Sequence, residues 1–194
     1  MFDALTRLAR LTFAAPRQAA RMVLDWPMER AVLWQLATLL VLLGVVVMQL
    51  SNAILPMPVL GPLAMIMANP LLNLLIQGGI FVITVQASYR IGRAAGGTGS
   101  LTGALKLMLW LQAITLAVQI VQLLMLMLLP PLGGMIGFAS LFLFFWLLTN
   151  FVAELHGFAS RWRVFMAIVM SCFALFLTLS LALALLFMLI PGGI

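Results

Sequence analysis

Charged side chains are scarce in this sequence. They make up 7% of its 194 residues, whereas 65% of the residues are hydrophobic. A water-soluble domain of average composition has about a quarter of its residues charged. No soluble core could bury so much apolar surface, so the excess must face lipid. The composition therefore excludes a soluble protein and predicts one integral membrane domain.

Cysteine and histidine each occur only once. Cys172 lies in an apolar run, where it has no partner for an internal disulfide. Glu154 and His156 are the only acid and imidazole in the second half of the chain, and alternate residues point apart on a helix. No nucleophile–base pair, zinc motif or metal-ligand cluster can be assembled. We therefore expect a non-enzymatic protein without a metal or cofactor. Glu154 and His156 are interpreted as polar residues that end a crossing at the membrane interface. A pH-sensitive role of His156 is the less favoured hypothesis.

The apolar runs also lack ionised residues near their centres. A charge at that depth costs at least a few kcal/mol, and proteins that keep one usually use it for ion coupling or proton relay. This absence argues against a pump or an ion-coupled transporter. A passive pore or a lipid carrier remains compatible with the sequence.

Five apolar runs are present, each long enough to cross a bilayer as a helix. Asn69-Pro70 is typical of an N-cap followed by a proline at the first helical position, and Gly96-Gly97 is typical of a helix stop. The stretch 59–68 is interpreted as a short dipping helix, with the start of the second crossing as the alternative. The transmembrane domain covers 30–190, with crossings predicted over about 30–50, 70–94, 102–129, 135–153 and 164–190.

Residues 1–29 are predicted to form an amphipathic arm. At about 100° per residue, Arg7, Arg10, Arg17 and Arg21 fall on one edge of a helix, with apolar residues elsewhere. That pattern is typical of a helix lying in the headgroup plane, with its basic edge toward anionic lipid. Pro16 is expected to begin a second short helix. A solvated arm is the alternative.

The ten Lys and Arg residues are distributed unevenly along the chain. With five crossings, all of them fall on one side of the membrane, in the arm, the 90–106 segment and the 154–163 segment. The positive-inside rule then places the N-terminus in the cytoplasm and the C-terminus outside. Three separate basic segments do not form a nucleic-acid surface. The expected partners are anionic lipid headgroups, with other membrane proteins as a second class; the candidate contacts are Arg7, Arg10, Arg17, Arg21, Arg90, Arg93, Arg161 and Arg163.

Uncharged polar residues recur at helical spacing in the first three crossings. An amide facing lipid would leave its donors and acceptors unmet, so these faces should turn inward. The favoured interpretation is that they form hydrogen bonds between helices; the alternative is that they line a solvated path or a lipid-headgroup cleft. The predicted interior amides are Gln35, Asn73, Gln77, Gln112, Gln119 and Gln122.

The Gly97-Thr98-Gly99 run does not form a nucleotide-binding motif. A dinucleotide fingerprint would need a glycine where Thr102 stands, and it would have to follow a strand. We interpret the run as a flexible turn between two helices.

The chain resembles a bacterial member of the Yip1 family. The resemblance rests on the five crossings, the arm around Ala15-Pro16-Arg17-Gln18-Ala19-Ala20-Arg21, the turn Gly96-Gly97-Thr98-Gly99-Ser100 with Ala104-Leu105-Lys106-Leu107, and Glu154-Leu155-His156-Gly157-Phe158-Ala159-Ser160. It implies a five-crossing membrane fold and, for a bacterial member, a location in the inner membrane. Eukaryotic members are associated with membrane traffic and prenylated Rab-type GTPases. Their Asp-Leu-Tyr-Gly-Pro motif is only weakly matched by Leu24-Asp25-Trp26-Pro27 in this chain. GTPase binding is therefore not carried over.

Two functions are compatible with these patterns. The first is a non-enzymatic scaffold or membrane-organising protein of the Yip1 type, whose basic cytoplasmic face holds anionic lipid or a partner. The alternative is a passive transporter or lipid-translocating protein that uses the amide-lined interior.

Overall fold

The computed structural model describes residues 2–54 and 68–189, and most of them are helical. Those residues form α1 (Phe2–Ala14), α2 (Pro16–Leu24), α3 (Arg30–Ile54), α4 (Pro70–Ala94), α5 (Leu101–Leu128), α6 (Pro130–His156) and α7 (Arg161–Leu189). Among these helices, α3 to α7 are long and apolar enough to cross a membrane. The predicted fold class, an all-α multi-pass membrane protein with a helical N-terminal arm, is confirmed.

Local signals set several helix ends where the sequence predicts them. The side chain of Asn69 accepts hydrogen bonds from the N–H groups of Leu71 and Leu72, at 2.9 and 3.2 Å, before α4 begins at Pro70. Gly96 follows α4 with φ +88°, a left-handed conformation that glycine adopts without a steric penalty. The dipping helix predicted over 59–68 lies outside the described residues except for its last position.

The connection between α5 and α6 is shorter than the sequence suggests. The fourth crossing, predicted from about 135, begins at Pro130, because proline at the first helical position loses no hydrogen bond. Leu129 is therefore both the C-cap of α5 and the N-cap of α6. At its other end α6 continues beyond residue 153 to His156, and Gly157 (φ +71°) terminates it.

Helix α5 occupies the centre of the bundle and packs against α3, α4 and α6. Helix α7 packs against α6 at the edge of the bundle. Apart from Val164, the side chains of α7 that the structure describes are half-buried or exposed. Among the largest fully buried side chains of the core are Leu33, Val85, Leu105, Leu107, Leu147, Asn150 and Phe151.

The N-terminal arm lies across one end of the bundle. Helix α2 packs against α6 and α5, and its apolar face is buried, whereas Arg7 and Arg10 on α1 are exposed. Full burial of Leu8 and Val23 stabilises the docked arm by roughly 1.5–3 kcal/mol for each side chain. The arm is amphipathic as the sequence predicts, and the apolar face of α2 is covered by protein.

Candidate functional site

Three segments that are distant in sequence meet where the arm docks. Arg17 of α2 donates a hydrogen bond to the carbonyl of Phe158 at 3.2 Å, and the N–H of Gly99 donates to Nδ1 of His156 at 3.2 Å. The arm, the 95–100 turn and the 157–160 segment therefore lie at the same end of the bundle, which we call the charged end. All ten Lys and Arg residues of the chain belong to these segments or to the helix ends beside them.

Glu154 connects the arm to the bundle. One of its carboxylate oxygens accepts from Nε of Arg17 at 2.6 Å, and the other is paired with Nε of Arg21. The Glu154 side chain is only 10% exposed, so its charge needs the two guanidinium groups to offset the loss of water. The hydrogen bond and the charge of Glu154 raise the pKa of Arg21.

Lys106 holds the other end of α2. Its Nζ donates to the carbonyl of Leu24 at 2.7 Å and to the carbonyl of Trp26 at 2.5 Å. The last carbonyls of a helix have no partner within the helix, and an ammonium group satisfies them and complements the helix dipole. Lys106 therefore acts as a cap that α5 supplies to α2.

A tryptophan completes the docking of the arm. Nε1 of Trp110 donates to the hydroxyl of Thr12 at 2.9 Å, and that hydroxyl donates to the carbonyl of Leu8 at 2.8 Å. Trp26 meets Trp110 edge to face, with ring centroids 6.0 Å apart. Thr12 is fully buried, so its hydroxyl needs both of these partners.

His156 lies at the centre of the charged end and is buried. Its Nε2 contacts the carbonyl oxygen of Ser88 at 2.9 Å, while Nδ1 accepts from the N–H of Gly99. These two partners require a neutral imidazole with its proton on Nε2, because a carbonyl can only accept and an N–H can only donate. The ring also stacks on Phe158, with centroids 5.5 Å apart.

Three glycines make room for this imidazole. A Cβ atom at Gly92, Gly97 or Gly99 would approach His156 to within 2.1, 2.3 and 2.7 Å, respectively. The Gly97-Thr98-Gly99 run, predicted above to be a flexible turn, therefore packs closely against the side chain of His156. The co-occurrence of a glycine-rich turn and a lone histidine is the sequence signal that could have indicated this packing.

The predicted basic contact residues are brought to the charged end. Arg17 is half-buried, and it is held by Glu154 and Phe158. Arg21 is exposed but also contacts Glu154. The other predicted contacts are exposed: Arg7, Arg10, Arg90, Arg93, Arg161 and Arg163.

The predicted interior amides differ in how far they are buried. Asn73 is buried, Gln77, Gln112 and Gln122 are half-buried, and Gln35 and Gln119 are exposed. Two of the amides lie beside Gly44 of α3, where an added Cβ would be 3.0 Å from Gln77 Oε1 and 3.8 Å from Gln112 Nε2. Gln77 Nε2 also donates to the sulfur of Met48 at 3.5 Å. The structure therefore brings Gln77 and Gln112 together beside Gly44.

Asn150 is a buried polar residue that the predicted amide stripes do not include. Its Nδ2 donates to the carbonyl of Trp146 at 2.7 Å, one turn back on α6. Within the described residues, Asn150 Oδ1 is buried without a hydrogen-bond partner. Over the same residues, no three His, Cys, Asp or Glu side chains are grouped so that they could hold a metal ion.

Comparison with known proteins assigns a family. The family model described as the Yip1 domain matches residues 10–189, which is most of the chain. No curated protein matches the sequence. No solved structure matches it either.

Proposed function

The chain belongs to the Yip1 family of membrane proteins, and from this premise we propose that it is a non-enzymatic scaffold or membrane-organising protein. Its working surface is the charged end, which we place in the cytoplasm. The observation that supports this most directly is that the basic side chains fall into two groups, one bonded within the protein and one exposed. Arg17, Arg21 and Lys106 hold the arm in place, whereas the seven other arginines of the chain are exposed.

The exposed arginines suit an anionic membrane surface. Each Lys or Arg near such a surface contributes roughly 1 kcal/mol, and the attraction weakens with salt over about a Debye length. The docked arm presents Arg7 and Arg10 at fixed positions, so less conformational entropy is lost on binding than with a disordered arm. The protein would thereby gather anionic lipids, or a partner with an acidic surface, beside its cytoplasmic end.

The test measures lipid enrichment around the reconstituted protein. Energy transfer from its tryptophans to a fluorescent phosphatidylglycerol is compared with transfer to the matching phosphatidylcholine. Arg7→Glu with Arg10→Glu should reduce the preference for phosphatidylglycerol, and high salt should reduce it in the unmodified protein. Gln18→Ala, at an exposed position of α2, is the control. Equal transfer to both lipids in the unmodified protein would refute the lipid form of the proposal.

Arg17 and Arg21 are poor positions for this test. Both side chains contact Glu154, so reversing their charge would also undock the arm. A loss of lipid preference in such a variant would therefore have two explanations.

Orientation can be measured with single cysteines in a Cys172→Ser background. Thr98 and Leu132 are exposed and lie at opposite ends of the bundle. Gly97 is unsuitable, because a Cβ there would be 2.3 Å from Nδ1 of His156. The positive-inside rule predicts that Thr98→Cys reacts with a thiol reagent from the cytoplasm and Leu132→Cys from the other side. Labelling of both from one compartment would contradict the five-crossing topology.

A passive transporter or lipid-translocating protein is the second candidate. The feature that favours it is the approach of Gln77 and Gln112 beside Gly44, between three crossing helices. Vesicles containing the protein should then leak a small solute or exchange lipid between leaflets. Gln77→Leu with Gln112→Leu should stop that flux, and Gln35→Leu, at an exposed position, should not.

A further inference from the structure

A lateral cleft separates α4 from α7, with α6 as its floor. Its volume is about 540 Å³, within the range of small-ligand sites. The lining includes Ile83, Ile91, Phe145, Leu148 and Leu175. The cleft is thus a largely apolar cavity on the side of the bundle that faces lipid.

The hydroxyl groups in the lining offer little to a polar ligand. Thr84 donates to the carbonyl of Ile80 at 2.7 Å, and Ser171 donates to the carbonyl of Ala167 at 2.7 Å. Thr178 likewise donates to the carbonyl of Ala174, at 3.0 Å. The remaining hydroxyl of the lining, that of Ser88, contacts the sulfur of Met108 at 3.9 Å. Since these donors already have partners within the protein, the surface suits a hydrocarbon chain.

The cleft is long enough to hold an acyl chain over the depth of one bilayer leaflet. Its walls run from Ala95 to Ile80 on α4 and from Val164 to Thr178 on α7. At 1.5 Å per residue each wall is roughly 21–22 Å long. A leaflet contributes about 15 Å to the hydrocarbon core, so a chain that enters at the charged end can lie along the cleft over its whole leaflet depth.

The mouth of the cleft carries the charge that an anionic headgroup needs. Arg161 and Arg163 are exposed in the first turn of α7, beside the lining residue Val164. Guanidinium groups bind phosphate through two parallel hydrogen bonds, which makes arginine well suited to a phosphodiester.

We propose that this cleft binds one anionic phospholipid, with an acyl chain between α4 and α7 and its phosphate on Arg161 and Arg163. The proposal rests on the proposed function and names a site for it. Over its described residues α7 packs mainly on α6, and the bound lipid fills the space on its other side. A resident lipid would thus be part of the structure at the charged end.

The experiment titrates delipidated protein with 1-palmitoyl-2-oleoyl phosphatidylglycerol and counts bound lipids by native mass spectrometry. The matching phosphatidylcholine is titrated in parallel. We expect one phosphatidylglycerol to bind more tightly than the rest. Arg161→Gln with Arg163→Gln should weaken it by about 30-fold, taking roughly 1 kcal/mol for each arginine.

The acyl-chain part of the proposal has a matched pair of variants on α7. Ala167→Phe places a ring in the cleft and should weaken both lipids, whereas Val169→Phe, at an exposed position outside the lining, should change neither. Unchanged binding in Ala167→Phe would overturn the proposal. Loss of a dimer in that variant, with lipid binding intact, would instead make the cleft an interface between copies.

Cys172 gives a readout that needs no variant. It is the single cysteine of the chain, and it lines the cleft. In detergent, added phosphatidylglycerol should slow its alkylation by a maleimide more than the same amount of phosphatidylcholine does. Equal labelling rates with both lipids would contradict the proposal.

The outcomes also separate this site from the proposed function. If anionic lipid is enriched around the protein but Ala167→Phe binds phosphatidylglycerol normally, the proposed function stands and this site is wrong. If the unmodified protein shows no preference in either assay, both are wrong.

Discussion

Replacement of Gly92 by alanine tests the packing of the charged end. The added Cβ would lie 2.1 Å from Nε2 of His156, and the imidazole has little freedom to move because it stacks on Phe158. Gly79 lies on the same helix with no atom within 4 Å of an added Cβ. Gly79→Ala is therefore a matched control that changes helix propensity without a steric conflict.

The expected difference between the two variants follows from two contributions. Overpacking of a well-packed site costs about 1–3 kcal/mol. Displacing the ring also breaks its hydrogen bond to the carbonyl of Ser88, which contributes about 0.5–1.5 kcal/mol. Both variants gain about 1 kcal/mol from replacing a helical glycine. Gly92→Ala should therefore be less stable than Gly79→Ala by about 2–4 kcal/mol.

The assay is thermal unfolding of the purified protein in a mild detergent, followed by tryptophan fluorescence. A difference of 2–4 kcal/mol corresponds to a Tm difference of about 4–16 °C for a chain of this size. Repeating both substitutions in a His156→Ala background should remove most of that difference, because the conflicting ring is gone. An equal Tm difference in both backgrounds would refute the steric argument, since the cost would then not come from His156.

Two further predictions concern the arm and pH. Glu154→Gln removes the negative charge that contacts both Arg17 and Arg21. We expect the docking of the arm to weaken by about 1–2 kcal/mol, a range that allows for the exposure of Arg21. Cleavage of the arm by trypsin should then accelerate roughly 5–30-fold. The exposed carboxylate of Glu29 supplies the control Glu29→Gln, which should be cleaved at the original rate. For pH, the bonds to Gly99 and Ser88 need a neutral imidazole, so their contribution is present at pH 7–8 and lost as the pH falls toward 5. The Tm of the unmodified protein should fall over that interval by more than the Tm of His156→Gln; parallel pH profiles would exclude His156 as the cause.

The helices could be predicted from the sequence because their signals are local. Asn69 and Pro70 specify the start of α4 with two adjacent residues, and Gly96 specifies its end. The start of α6 could not be placed as well, because Pro130-Pro131 is compatible both with a turn and with a first helical position. The structure shows the second alternative, because Leu129 alone separates α5 from the first residue of α6, Pro130.

The site was less predictable because its partners are far apart in sequence. Glu154 meets Arg17 across 137 positions, and His156 meets Ser88 across 68. Helical periodicity showed that Glu154 and His156 point to different sides, but it could not identify what each side touches.

The amide stripes illustrate the same limit. Periodicity placed Gln112 and Gln119 on one face of α5, yet Gln112 is half-buried and Gln119 is exposed. A face of a helix is covered only as far as a neighbouring helix extends along it. In a membrane protein, outward-facing residues are apolar too, so the sequence gives little contrast between a covered and an uncovered face.

The pairing of Arg17 with Glu154 also has a consequence for biosynthesis. At a synthesis rate of about 5–20 residues per second, the 137 positions between them take roughly 7–27 s to translate. During that interval the arm has emerged from the ribosome, but Glu154, the residue that pairs with Arg17, has not yet been added to the chain. Until Glu154 is made, the apolar face of α2, with Ala19, Ala20 and Val23, cannot be buried against the bundle. We expect this amphipathic segment to lie on the bilayer surface during that time.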